Sequence, residues 1–302
     1  MSTDQLILGT FEACFKKYYY NETVVGKLAH SEFKTGVKKG DEVDVFMPPT
    51  ITLFDYAGGD LPDAEIATTS ATKIRIDRGK AFHFEVDEIK KKEIENVYKQ
   101  KGLEAATNLA KDYCMDGVKQ FAASVDTAYA NLYTRAGHYL SGSDNAAITL
   151  TKDNAKEILG YMEAKFKRGD DNGHTSWIDG QMICIVPPEY QFQLGKNEMY
   201  EEVESGHRKL EKGFIGRLYG WDILVSNNVA KDDSGYFYPL FGIRGKTLAG
   251  GVSSNLNTKS YMPEKNFNTR YKGYGLYGVG APRADFLGTV KINAPLQLTP
   301  AS

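Results

Sequence analysis

The sequence predicts an α+β protein whose lobes share strands, and three stretches carry that prediction. From Leu103 onward, Ala106, Ala110, Tyr113, Gly117, Phe121, Val125 and Leu132 recur every three or four residues. That is the apolar stripe of one amphipathic helix of about thirty residues, roughly 45 Å long at 1.5 Å per residue. Between Thr72 and Asp87, Ile74, Ile76, Phe82, Phe84 and Val86 alternate with polar residues, the period of a strand with one apolar face. Met182 to Val186, "MICIV", is a continuous apolar run, as in a strand covered on both sides.

Each element follows in order. In the first 35 residues Leu8, Phe11 and Phe15 recur at helix-like spacing. "DEVDVFMPPTITLFDY" (41–56) holds two short alternating runs, Val43/Val45 and Ile51/Leu53, broken by Pro48 and Pro49. "AGGDLPDAEIATTSAT" (57–72) is small, polar and irregular. Asp77-Arg78-Gly79-Lys80 has turn chemistry, so 72–87 predicts a β-hairpin. A lone hairpin is marginal in water, and nothing nearby in sequence offers its apolar face a partner. Lys90, Lys91, Lys92, Lys99 and Lys101 interleave with Glu88, Glu93 and Glu95, the pattern of a salt-bridged surface helix.

Beyond the long helix, Thr151 or Asp153 caps a second one with Ala155, Ile158, Leu159, Met162 and Phe166 as its apolar face. Pro187-Pro188 opens a short helix, and Trp221, Ile223 and Val225 mark another strand between glycine turns. Residues 236–302, rich in Gly, Tyr and Phe, read as strands and loops, with no internal repeat and no clean linker.

Composition narrows the function. The 302 residues carry a formal net charge of -2, which argues against a surface built to neutralise phosphates. Cys14, Cys114 and Cys184 lie far apart and form no CxxC, which favours a reduced, intracellular setting. The N-terminus lacks the basic start of a signal peptide, and no apolar run approaches the ~18 residues of a membrane span.

Local motifs carry little chemistry. Gly273-Tyr-Gly275-Leu-Tyr-Gly278 matches G-x-G-x-x-G, but Pro282 and a non-helical pattern follow, so close-packed strand glycines explain it better than a nucleotide site. Arg168-Gly169-Asp170 reads as a turn, and the sequon Asn21-Glu22-Thr23 lacks a secretory context. His30, His83, His138, His174 and His207 do not cluster at metal-ligand spacing. The pairs Asp112/Asp116 and Glu85/Asp87 read as solvated faces. No catalytic, cofactor-binding or metal residue is assigned, and no cofactor is expected.

Three segments, in order, resemble the major capsid proteins of tailed bacteriophages, the HK97-like family. They are "TKIRIDRGKAFHFEVDEI" with the later "SVDTAYANLY", then "MICIVPPEYQFQL", then "KGFIGRLYGWDILVSNNV". In the last, Gly213, Ile215, Gly216, Gly220, Trp221, Ile223, Ser226, Asn227 and Val229 fill the family's pattern. The resemblance spans roughly residues 40–300. It implies an α+β HK97-like capsid fold with an N-terminal arm (1–40), an extended β-hairpin loop (57–87) and a long spine helix. The spine helix belongs to a peripheral domain (41–56, 88–150 and 270–302), and an axial domain (151–269) holds a central β-sheet. It further implies a non-enzymatic shell subunit that self-assembles into hexamers and pentamers around double-stranded DNA, bound without sequence specificity. A separate scaffolding protein, a portal and decoration proteins are its expected partners, with no membrane. The virion capsid, assembled in the host cytoplasm, is the expected location. The hairpin face would then be completed by another copy, giving Ile74, Ile76, Arg78, Phe82, Phe84 and Val86 as expected intersubunit contacts, largely exposed in an isolated subunit. An insertion after Ser226-Asn227-Asn228, known in longer relatives, is absent, and no Lys–Asn cross-link is assigned. The alternatives are an encapsulin-like bacterial shell and, from another class, an enzyme with an unrecognised active site.

Overall fold

The long helix and two β-sheets organise the chain. The computed structural model describes residues 9, 22–34, 39–46, 71–101, 103–168, 180–196, 214–253, 257–264 and 267–295. After a 3-10 turn at Val25–Leu28 come strands β1 (Ala29–Lys34), β2 (Glu42–Phe46), β3 (Ala71–Arg75) and β4 (Arg78–Val86). Helices α1 (Glu88–Lys101) and α2 (Leu103–Ala130) follow; α2 is the helix that the 3.6-residue stripe predicts. Next come β5 (His138–Leu140), β6 (Ile148–Thr149), α3 (Lys152–Arg168), β7 (Met182–Val186) and α4 (Pro188–Gly195). Strands β8 (Phe214–Leu218), β9 (Trp221–Val225), β10 (Ala230–Lys231), β11 (Phe237–Tyr238) and β12 (Leu240–Ile243) lead into the last part. It holds β13 (Leu248–Ser253), β14 (Asn257–Tyr261), β15 (Thr269–Gly280), β16 (Gly288–Val290) and β17 (Ile292–Asn293).

Helix ends follow local chemistry. At the start of α3 the Thr151 and Asn154 side chains exchange hydrogen bonds with each other's backbone N–H (3.3 and 2.7 Å), a reciprocal cap. Pro188 opens α4 at a position where a missing N–H costs nothing.

One sheet has the order β5-β16-β12-β7-β9-β8. Its inner strands β16, β12, β7 and β9 are buried on both faces, as the unbroken apolar run of β7 requires. Ile183, Ile185, Leu224 and Leu240 pack with Val118, Ala122 and Val125 of α2. Cys184, Val186, Trp221, Ile223 and Phe241 face the other way, onto Leu159 and Met162 of α3 and Tyr190 of α4. Two hydrogen bonds fix α3 there: Trp221 Nε1 donates to the Leu159 carbonyl (3.1 Å) and the Tyr190 hydroxyl donates to that of Ala155 (2.6 Å). The β8–β9 hairpin turns through Tyr219 (φ 48°) and Gly220 (φ 74°), and two positive φ values in a two-residue loop match the strands' right-handed twist.

The second sheet runs β1-β13-β15-β14, with β4 along the other edge of β15. A small sheet, β10-β11-β17-β6, and a two-stranded ribbon, β2-β3, complete the set among the described residues. Pairing joins segments that are distant in sequence. Strands β5 and β16 join the sheet of β12, whereas β13 and β14 join β15.

Candidate assembly surfaces

The expected hairpin does not form. β3 pairs with β2, Glu42 opposite Arg75 through Phe46 opposite Ala71. β4 pairs with β15 nearly two hundred residues away, Val86 opposite Thr269 through Arg78 opposite Tyr277. The reason is conformational. Gly79 is not among the positive-φ glycines, so the chain makes no two-residue hairpin turn there and runs straight on from one pairing to the next. The apolar alternation from Ile74 to Val86 keeps one phase throughout, consistent with a single extended path.

The expected exposure of the apolar face is therefore corrected. Ile74, Ile76 and Val86 are 3%, 0% and 2% exposed within their own chain. Ile74 lies on Gly280, and Ile76 packs against Leu276 beside Gly278. A Cβ on Gly278 would sit 2.5 Å from the Arg75 carbonyl oxygen, so this glycine permits the close approach of β15 to the end of β3. Val86 joins Ile94 of α1 and Tyr271 of β15 in one cluster, with Phe84 and Val97 at its edge. Phe84 stacks on Tyr271 (5.4 Å), and Phe82 covers Gly273; both are half-buried. Arg78 remains exposed, 3.8 Å from Asp77. Gly273, Gly275 and Gly278 thus lie on β15, and among the described residues only a three-residue 3-10 turn, Ala284–Phe286, follows it before β16, not the α-helix that would meet a pyrophosphate.

The helical charge run behaves as its spacing predicts. Glu88 pairs with Lys92, Glu95 with Lys99 and Lys90 with Glu93, all at 2.8–3.0 Å and exposed. Ile89, 73% exposed, sits in the first turn of α1.

One buried carboxylate went unnoticed in the sequence. Asp126 interrupts the apolar stripe of α2, a visible signal, and is 1% exposed. Its oxygens accept from the Val24 N–H (2.7 Å) and the Gly26 N–H (3.0 Å). Burial pushes its carboxyl up, against the opposing pull of those amides. Asp126 thereby ties the turn at Val25–Leu28 to the long helix, and Val25 and Leu28 are fully buried beside it.

The open face of the second sheet is polar and aromatic. Glu85 bonds Arg270 (2.6 Å), and Asn268 followed by Arg270 holds its carboxyl below the usual range. His83 Nε2 lies 3.0 Å from the Tyr261 hydroxyl, their rings nearly parallel with centres 6.0 Å apart. Lys272 Nζ stands 5.0 Å from the Tyr261 ring centre.

Chemistry-bearing groups elsewhere are scattered. Among the described residues no three His, Cys, Asp or Glu side chains converge as a metal site, and no helix is long and apolar enough to cross a membrane. Cys184 is buried, which pushes its thiol well up. His138 packs on Phe166 (5.0 Å), and burial pulls its imidazole down. Cys14, Asn21, His174, His207 and Gly169-Asp170 lie outside the described residues, as does the side chain of Cys114.

No protein-family model matches the sequence, and no curated protein matches it either. Solved structures do match, over nearly the whole chain. A structure of Mycobacterium phage Che8 superposes with a TM-score of 0.59 at 21% identity, covering 89% of this chain and 90% of that one. The capsid of Ralstonia phage GP4 gives 0.57 at 12% identity, covering 94% and 92%. The holo-SrpI encapsulin complex from Synechococcus elongatus PCC 7942 gives 0.53 at 12% identity, covering 91% and 89%. The chain therefore has the HK97-like capsid fold, a mixed α+β architecture shared by phage capsids and an encapsulin.

Proposed function

We propose that this chain is the major capsid protein of a tailed phage. In this reading it is a structural protein, not an enzyme, that self-assembles into hexamers and pentamers and closes an icosahedral shell around double-stranded DNA. The observation that carries the reading is the near-complete, two-way coverage of capsid chains such as that of Ralstonia phage GP4. Rings of one repeated heterologous contact close into capsomers, and capsomers tile a shell. The described pattern fits a subunit that keeps a self-sufficient core in one sheet and leaves a face of the other uncovered.

The partners in this reading are other copies of the chain, a separate scaffolding protein, a portal, decoration proteins and packaged DNA. The net charge of -2 fits DNA held by a closed wall rather than by affinity. The virion is its destination and the host cytoplasm its place of assembly. Residues 1–40 serve as the arm, and the long helix α2 as the spine of the peripheral domain. The extended loop is re-centred on the β2–β3 ribbon, since 78–86 is committed to β15. Of the expected intersubunit contacts, Arg78 and the outer edges of Phe82 and Phe84 retain surface for a neighbour.

A second reading, an encapsulin-like shell around cargo protein, is favoured by the match to the SrpI complex. Electron microscopy of the purified protein, alone and with a scaffold candidate, tests both. Megadalton icosahedral particles enclosing nuclease-protected DNA in the infected host support the phage capsid. Particles filled with protein support the encapsulin, and a monomer under every condition sinks both.

A further inference from the structure

The turn ahead of β1, together with β1 itself, holds three parts of the molecule at once. Asp126 of α2 accepts from the Val24 and Gly26 N–H groups, and the Val25 N–H and the Asn228 side chain bond it too. The Lys27 carbonyl accepts from the Gly245 N–H (3.0 Å), in the turn between β12 and β13. Leu28 lies over Gly242 of β12, where a Cβ would sit 3.1 Å from its Cδ2. β1 then pairs in parallel with β13, Ala29 opposite Leu248 through Lys34 opposite Ser253. Residues 24–34 thus touch the long helix, the six-stranded sheet and the second sheet.

Two features make this segment separable. β1 is the terminal strand in the order β1-β13-β15-β14, so its departure leaves the other pairings of that sheet intact. Its anchor is a buried carboxylate, and the Val24, Val25 and Gly26 amides that bond it all belong to the segment. Burial works against that carboxylate and pushes it up, so stability alone would favour an apolar side chain at 126. What a carboxylate adds is a hydrated alternative. When the segment lifts, water replaces the amides, whereas an apolar side chain would be left facing water. Val25 and Leu28, both fully buried, share one cluster with Val118 and Val125 of α2 and Leu248 of β13, so lifting them opens an apolar slot there.

We propose that residues 24–34 form a strap that docks and undocks as one unit about Asp126 while both large sheets stay folded. Undocked, the strap bares two things that the docked chain hides, the edge of β13 and the apolar slot beside α2. Asp126 is its positioning residue, setting the balance between the two states. The strap is a conformational device of the single chain. It does not depend on the shell reading, and unassembled protein is enough to test it.

Hydrogen exchange read by mass spectrometry on the full chain, in steps of denaturant well below global unfolding, is the test. In wild type, peptides from 24–34 should exchange through one shared opening in which β7, β9 and β12 take no part. Asp126→Ala should speed exchange in 24–34 about tenfold or more and leave β7, β9 and β12 within about twofold of wild type. The same variant should bind the apolar dye ANS with about threefold brighter fluorescence at unchanged far-ultraviolet circular dichroism. Where Asp126→Ala does not fold, Asp126→Asn, which keeps the shape and one acceptor, serves the same comparison, and the wild-type profile is judged on its own. Exchange of 24–34 only through global unfolding in wild type would overturn the proposal and make Asp126 a plain core residue. Equal acceleration in every strand, or exchange in 24–34 that the substitution leaves unchanged, would overturn it as well.

Discussion

The two large sheets are built from similar residues and end in opposite situations. The six-stranded sheet has short strands, and every residue of β7 and β12 is buried between α2 on one face and α3 with α4 on the other. The sheet around β15 has its longest strand, twelve residues, and alternates buried Tyr271, Gly273, Gly275 and Tyr277 with outward Lys272 and Tyr274. A sheet closed on both faces can only be a core. A sheet with one charged, aromatic face left in water has surface to spend on a neighbour. In the proposed shell reading the difference separates what folds the chain from what can join copies, and substitutions in the two sheets should then separate melting from assembly.

The largest effect is expected in the closed sheet. Trp221 is fully buried, lies edge-on to Phe166 and Phe241 at 5.2 Å, and bonds the Leu159 carbonyl. Trp221→Ala should cost about 4 kcal/mol. Denaturant melts should show a much lower midpoint, and any loss of assembly should follow from unfolding. A midpoint near that of wild type would mean that this sheet is not the core.

Next comes Asp126. Asp126→Ala strands one buried and one part-buried N–H group and should cost about 2–3 kcal/mol. Limited proteolysis should find cleavage near Val24–Leu28 accelerated while the two sheets stay protected. The raised carboxyl also gives a pH signature. A carboxyl held above its unfolded value adds stability as pH falls from neutral through its folded pKa, and the gain is complete below the usual 3.8. Asp126→Asn should lack that acid-side gain.

The open sheet gives a sharper comparison at Phe84. Stacked on Tyr271 inside its own chain, it should lower monomer stability by about 2 kcal/mol when changed to Ala. Unchanged monomer melting, with assembly lost, would restore the exposed-face picture that the alternation first implied.

His138 should act more weakly and with the opposite pH sign to Asp126. Its imidazole is held below the usual 6.5 by burial, so folding disfavours its protonation. Stability is expected to drop as pH falls through 6.5, with Lys165 adding to the repulsion and Asp285 opposing it. In His138→Phe, hydrogen exchange in β5 should lose its acid dependence. The smallest effect belongs to Lys272→Gln, which relieves the cross-strand pair with Lys259 and should raise melting stability by a few tenths of a kcal/mol.

Much of the fold is legible in the sequence because its signals are local. The stripe of α2, the cap of α3, the doubly buried run of β7 and the Tyr219-Gly220 turn each depend on residues within a helix turn or a hairpin. The charged faces are legible too, since their ion pairs join residues three or four apart. The candidate surface was half legible. Alternation marked the apolar residues from Ile74 to Val86 but could not name what covers them.

What the sequence determined by itself is which segments are helix or strand and which side of each is apolar, because backbone propensity and hydrophobic period act over a few residues. Pairing was decided only by the tertiary structure. Alternation repeats every two residues and is the same for any partner, so β4 could not announce that it pairs with β15. The choice rests on complementary shape at long range: Gly273 leaves room for Phe82, Gly278 for the Arg75 carbonyl, and Gly280 for Ile74. The same packing made Asp126 an anchor, since its carboxylate gains its role only when the amides of Val24 and Gly26 arrive from a hundred residues away.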